Sequence, residues 1–178
     1  MSSGRSRYVL SGPVRTEFMS WWHGLTSETA SGTARADRAV LKRADTLTAV
    51  ACTSAYQRLY RRMAAANSGE PWRAFEQERI AALVAVAAHV TEKVPMSLPQ
   101  AMSHRADGDD RNPVSQLRFS RLLDAPDIEA LFTGLRRSLP LIENKVDPAT
   151  LADDIYGWSD AVKKRWAYAY RWPEKSDG

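Results

Sequence analysis

Ile80-Ala81-Ala82-Leu83-Val84-Ala85-Val86-Ala87-Ala88 is the stretch that decides the fold class. It is apolar without a break, and His89 ends it. The run falls far short of the roughly 20 residues that cross a bilayer, so it reads as a core element. Upstream, Pro71 and the acidic Glu76 and Glu78 suit the start of a helix. The pattern predicts one helix running on through Val90, its Ala/Val-rich body buried on most sides. A helix covered in this way needs other elements around it. No segment alternates apolar and polar residues between hairpin turns, so few strands or none are expected, and the covering elements are helices.

Those helices can be placed outward from this centre. Pro13 opens a helix at its first turn, and Phe18, Trp21, Trp22 and Leu25 recur at helical spacing. Ser27 to Gly32 is a linker, and Thr33 is the expected cap of a helix from Ala34 to about Asp45. A longer helix is expected from Thr48 to Ala66, ended by Asn67-Ser68-Gly69. Pro95 and Pro99 bracket a break with a short helical turn near Leu98 to Met102. Asp107-Gly108-Asp109-Asp110-Arg111-Asn112-Pro113 is a polar loop and the expected boundary if the bundle has two lobes. Ser115 caps a helix carrying Arg118 and Arg121, and Asp127 opens another in which Leu131, Phe132, Leu135 and Leu139 form the apolar stripe. Pro148 starts a helix through Tyr156, and the last helix spans Asp160 to Trp172. The expectation is all-α: a single compact bundle of about seven to nine helices, undivided or in two lobes. Residues 1–12 are expected as a flexible arm, 13–173 as the helical domain, and 174–178 as a flexible tail.

Charge is uneven along the chain. Of 178 residues, 25 are Lys or Arg and 21 are Asp or Glu, a net of +4. Residues 1–79 hold 12 basic and 7 acidic side chains (+5), and residues 80–178 hold 13 and 14 (−1). A basic end is an electrostatic footprint for nucleic acid. Nineteen of the basic residues are arginine, which favours forked contacts and stacking, although a GC-rich genome also raises arginine. Cys52 is the only cysteine, so no intramolecular disulfide forms and a reducing compartment is expected. Met1 to Arg7 is polar with no signal-type apolar run behind it, and the expected location is the cytoplasm.

The basic residues fall on helix edges. With Arg35 at 0°, Arg38 lies near ~300°, Lys42 near ~340° and Arg43 near ~80°, while Val40, Ala44 and Leu41 lie near ~140°, ~180° and ~240°. This edge reads either as a phosphate-tracking ridge or as a solvated amphipathic face. In Val114-Ser115-Gln116-Leu117-Arg118-Phe119-Ser120-Arg121-Leu122-Leu123, the two arginines share one edge. Leu117, Phe119, Leu122 and Leu123 are the candidates for its buried side. Arg58, Arg61 and Arg62, and likewise Arg136 and Arg137, sit toward the C-terminal ends of their helices, where positive charge also complements the dipole. Glu129 and Glu143 are alternative ion-pair partners for Arg136 and Arg137. The final helix interleaves Lys163, Lys164, Arg165 and Arg171 with Trp166, Tyr168, Tyr170 and Trp172. That mixture can stack single strands. Val162, Trp166, Ala169 and Tyr170 share a face, however, which assigns the aromatics to the core and leaves Lys163 and Lys164 as the exposed candidates.

Catalytic motifs are missing. There is no Gly-rich loop ending in Lys-Ser/Thr, and His23, His89 and His104 are far apart with no H-E-x-x-H. His89 reads as a core or boundary histidine, and Cys52 as a small apolar residue. A calcium loop starting at Asp107 would need glutamate at its twelfth position, where Arg118 stands. Asp153-Asp154 lies in an ordinary helix. No enzyme activity, cofactor or metal is expected.

In order and spacing the chain resembles the CasB family, the small subunit of the type I-E CRISPR surveillance complex, Cascade. The resemblance rests on Trp21 and Trp22, then Arg38-Ala39-Val40-Leu41-Lys42-Arg43-Ala44, then Val114 to Leu123, Leu135-Arg136-Arg137, and finally Trp158 with Lys163-Lys164-Arg165-Trp166. It runs from about Phe18 to Trp172. Lys42 stands where family members often show a second arginine, which keeps the charge but loses the fork. The resemblance implies an all-helical, non-catalytic subunit, two copies of which pack beside the backbone subunits that hold the guide RNA and near the large subunit. Their basic surface would hold the guide–target hybrid and the displaced DNA strand, with no membrane involved. Carried over by motif, the candidate nucleic-acid-binding residues are Arg38, Lys42, Arg43, Arg118, Arg121, Arg136, Arg137, Lys163 and Lys164; helical geometry adds Arg35. The rival readings are a free-standing helical DNA-binding regulator and a helical scaffold that touches no nucleic acid.

Overall fold

A computed structural model describes residues 10–175. Ten α-helices and one 3-10 turn are present among them, and the only β feature there is an isolated bridge between Glu92 and Lys145. The helices are α1 (Gly12–Thr26), α2 (Gly32–Arg43), α3 (Leu47–Ala51), α4 (Ser54–Ala66), α5 (Ala74–Ala87), α6 (Leu98–Met102), α7 (Gln116–Leu123), α8 (Ile128–Ser138), α9 (Pro148–Tyr156) and α10 (Asp160–Ala169). The 3-10 turn, Leu139–Ile142, extends α8.

The architecture is an all-α bundle built around α5. Ile80 through Ala87 are all buried, so this helix has no solvent face over its last two turns. It packs against α2, α3, α4, α8 and α9. The small Ala and Val side chains are what let five neighbours approach one helix. Trp22 of α1 reaches this centre as well, its Nε1 donating to the Ala87 carbonyl at 3.2 Å. Buried apolar residues from Leu10 to Tyr170 make one continuous cluster. The polar loop from Asp107 to Pro113 therefore runs over the surface of a single core, and no division into lobes occurs among the described residues.

Most helix starts carry side-chain caps, and several boundaries differ from those expected: α5 ends at Ala87 rather than Val90, and α10 at Ala169 rather than Trp172. Ser31, not Thr33, caps α2: its hydroxyl accepts from the Ala34 N–H at 3.1 Å, and Gly32 already lies in the helix. The single helix expected over Thr48–Ala66 is divided into α3 and α4. Thr53 divides it, accepting from the Tyr56 N–H at 3.1 Å and donating to the Val50 carbonyl at 2.8 Å. A threonine that satisfies both ends of a break competes with continued helix. Cys52 sits in that break and is exposed.

Most of the expected N-terminal arm, residues 1–9, lies outside the described residues, as do residues 176–178 of the tail. Leu10 is buried, and its N–H donates to Asp153 Oδ1 at 3.0 Å. Asp153 also pairs with Arg15. No helix among the described residues is long and apolar enough to cross a membrane.

Candidate nucleic-acid interface

The C-terminal end of α5 is where the basic residues meet. The last carbonyls of a helix lack intrahelical partners and carry the negative end of its dipole. Arg38 of α2 answers both needs. Its Nε donates to the Ala88 carbonyl at 2.9 Å and its Nη2 to the Val90 carbonyl at 3.3 Å. Burial lowers the Arg38 pKa, yet a guanidinium remains charged at neutral pH. From α8, Arg136 Nη2 donates to the Lys42 carbonyl at 3.2 Å, and the guanidinium lies 5.5 Å from the Phe132 ring centre. That bond ties α8 to the end of α2.

His89 lies among these cations. Burial pushes its pKa down to about 4, helped by the positive charges of Arg136, Lys42 and Arg38. Its Nε2 and the Arg136 Nε are buried without a hydrogen-bond partner among the described residues. Arg136, Arg137, His89, Thr133 and Asp45 line one surface pocket. Arg35, Arg38 and Lys42 line another, with Glu28 and Thr91. The fold thus gathers Arg35, Arg38, Lys42, Arg136 and Arg137 at one end of the bundle. Arg43 is exposed in the last turn of α2. Arg118 and Arg121 stand exposed on α7 and Lys164 on α10, whereas Lys163, also expected to be exposed, is half-buried, its Nζ 5.8 Å from the Trp158 ring centre.

Several carboxylates are engaged elsewhere. Ion pairs among the described residues join Arg15 to Asp153, Arg58 to Asp37 at 2.5 Å, Lys145 to Glu92 and Glu143, and Arg165 to Asp154 at 2.7 Å. None of the ten candidate cations is in one. Glu129 and Glu143, the alternative partners for Arg136 and Arg137, are taken: Glu129 accepts from the Leu47 N–H at 3.1 Å, and Glu143 pairs with Lys145. Arg58 is a structural residue through its pair with Asp37. Arg61 and Arg62 are exposed and line a cavity with Trp21.

The acid pair in α9 is accounted for as structure. Asp154 is buried and accepts from Trp166 Nε1 at 2.8 Å as well as from Arg165. No group of three or more His, Cys, Asp or Glu that could hold a metal occurs among the described residues.

Two expectations about α7 and α10 are corrected. Leu117, a candidate for the buried side of α7, is 57% exposed, while Phe119 and Leu122 are buried. Leu117 lies about 200° from Phe119 around the helix, next to Arg121, so it cannot share the buried face. On α10, Trp166 and Tyr170 are core residues, but Tyr168 is 92% exposed and Trp172, just beyond the helix, 40%. Tyr168 likewise lies about 200° from Trp166. Sequence reasoning also missed the part played by His89. A histidine following an apolar helix gives its depth but not the cations that other helices bring to it.

A family model described as CRISPR-associated protein Cse2 matches residues 37–170. Two solved structures from Thermus thermophilus share the fold. One, a CRISPR-associated protein of the Cse2 family, is 26% identical with a TM-score of 0.62; the other, CasB, is 25% identical with a TM-score of 0.60. Each alignment covers 88% of this chain and 96% of the other. No curated protein sequence matches the chain. The family match takes in α3 to α10 and most of α2, including the elements that bring the cations to the end of α5. The chain belongs to the Cse2, or CasB, family of CRISPR-associated proteins.

Proposed function

We propose that this chain is a non-catalytic subunit of a type I-E Cascade surveillance complex that binds nucleic-acid backbone. Its cations hold the guide–target hybrid and the displaced DNA strand, and it works beside the guide RNA, the backbone and large subunits and a second copy of itself. The observation that carries this reading is that none of the ten cations is in an ion pair among the described residues, while Arg15, Arg58 and Arg165 are. Unpaired arginine and lysine on rigid helices suit phosphates, which are contacted without reading bases. Exchange of a DNA duplex for an RNA–DNA hybrid is nearly balanced in energy, so backbone contacts can tip it.

The test replaces Arg118 and Arg121 together with alanine in the assembled, guide-loaded complex. Both are exposed and make no ion pair among the described residues, so helicity by circular dichroism stays unchanged. Protection of the displaced strand from nuclease falls, most at low salt. The slope of log affinity against log salt shrinks by about 0.7 for each single-strand phosphate that is no longer neutralised. Unchanged protection and slope would favour a scaffold that touches no nucleic acid.

A further inference from the structure

We propose that Tyr168 and Trp172 form a stacking platform for unpaired bases, beside the cations of α7. The inference rests on the reading of the chain as a binder of the displaced strand and adds that this strand is gripped by its bases as well as its phosphates. Phe119 of α7 stacks on Tyr170 with ring centres 4.0 Å apart and planes 9° apart. Trp172 meets both rings edge-on, at 5.5 Å from Phe119 and 5.1 Å from Tyr170. Its indole Nε1 donates to the Ala167 carbonyl at 2.7 Å. A partly exposed indole is thus fixed by two rings and a hydrogen bond. Ordering it costs little more when a base arrives.

Tyr168 follows Ala167 and projects from the outer face of α10. A tyrosine ring left this open contributes nothing to the core. The setting is cationic. Arg118, Arg121, Lys164 and Arg171 are exposed and outside every ion pair among the described residues, with Glu174 the acidic side chain nearest in sequence to Trp172. Rings that stack any base, flanked by charges that follow any backbone, make a sequence-tolerant grip on a single strand. A duplex offers no free base faces to such rings.

The experiment compares binding of the full chain to an oligothymidylate and to an abasic strand of equal length, which carries the same phosphates without bases. Tyr168→Ala weakens oligothymidylate binding by about tenfold, in the range of one lost base–ring stack, and leaves abasic binding unchanged. Tyr168→Phe retains affinity, because the ring and not the hydroxyl is used. Trp172→Ala acts in the same sense, and fluorescence of the parent chain is quenched by oligothymidylate more than by the abasic strand. Equal losses on both strands, or no loss on either, overturn the platform while leaving backbone binding intact. Tyr168→Ala that disturbs assembly of the complex but not oligonucleotide binding marks the patch as a protein-docking surface and also overturns it. No binding of either strand by the parent chain overturns both this inference and the broader reading.

Discussion

Arg38 donates to the carbonyl of Ala88, 50 residues away, at 2.9 Å, and so closes the end of the central helix. The same side chain belongs to the cationic cluster around His89. It therefore serves the fold and the interface at once. Arg38→Ala leaves the Ala88 and Val90 carbonyls without their guanidinium donor, a loss of about 1.5–3 kcal/mol for bonds to a charged group. Urea unfolding is the measurement. Arg118→Ala plus Arg121→Ala is the contrast, changing stability by no more than about 0.5 kcal/mol, as surface substitutions do. Equal stability losses in the two variants would remove the distinction.

Asp154 ties α9 to α10. Asp154→Ala strands the buried indole N–H of Trp166 and releases Arg165. The unsatisfied donor alone costs about 1–3 kcal/mol. Asp154→Asn retains an acceptor for Trp166 and loses less. Chemical denaturation ranks them parent, then Asn, then Ala; an Asn variant as weak as the Ala variant would show that charge, not the indole bond, is what matters there.

These two residues also show how far a sequence can be read. The all-helical class follows from one apolar run and the absence of alternation, and Ser115 and Asp127 cap α7 and α8 as their side-chain chemistry requires. Helical angles place Leu41 and Ala44 on the inner face of α2, and both are buried. They do not say what the flanking Arg38 touches, because its partners arrive through tertiary packing. Asp154 looks idle in the sequence for the same reason, its partner Trp166 lying one helix further on. The Thr53 break is not legible because threonine inside an apolar pattern carries no breaker signal of its own. Tyr168 reads as core when grouped with its aromatic neighbours, although its own angle sets it opposite Trp166.

Gly134 of α8 faces the Leu122 side chain of α7. A Cβ placed there would stand 2.6 Å from Leu122 Cδ2, and Leu122 is buried. Gly134→Ala gains about 1 kcal/mol of helix propensity and loses about 1–3 kcal/mol to overpacking, for a net destabilisation. In a Leu122→Ala background the clash is gone, and the same substitution stabilises. A double-mutant cycle reads the change of sign. Because α7 carries Arg118 and Arg121, Gly134→Ala alone also lowers strand affinity. Identical effects of Gly134→Ala in both backgrounds would show that contact with Leu122 is not the cause.

His89 gives the protein a pH dependence of predictable sign. Its pKa is about 4 in the folded chain against an ordinary 6.5. Between those values the unfolded chain binds the extra proton, so folding stability is fully present above about pH 6.5 and falls as pH drops toward 4. The groups that face it are Arg38 and Lys42 from α2, Arg136 and Arg137 from α8, and Asp45 on the loop between α2 and α3. His89→Gln removes the titrating group, so its stability curve is flatter across that window, and parallel curves for parent and variant would refute the assignment. Ligand binding supplies a second readout. A polyanion on Lys42 and Arg136 offsets the charges that, after burial, help to hold the imidazole neutral, so the His89 pKa, followed by NMR, rises when an oligonucleotide binds. An unchanged His89 titration in the bound state would mean that the backbone passes elsewhere, and that the cations at the end of α5 serve the fold alone.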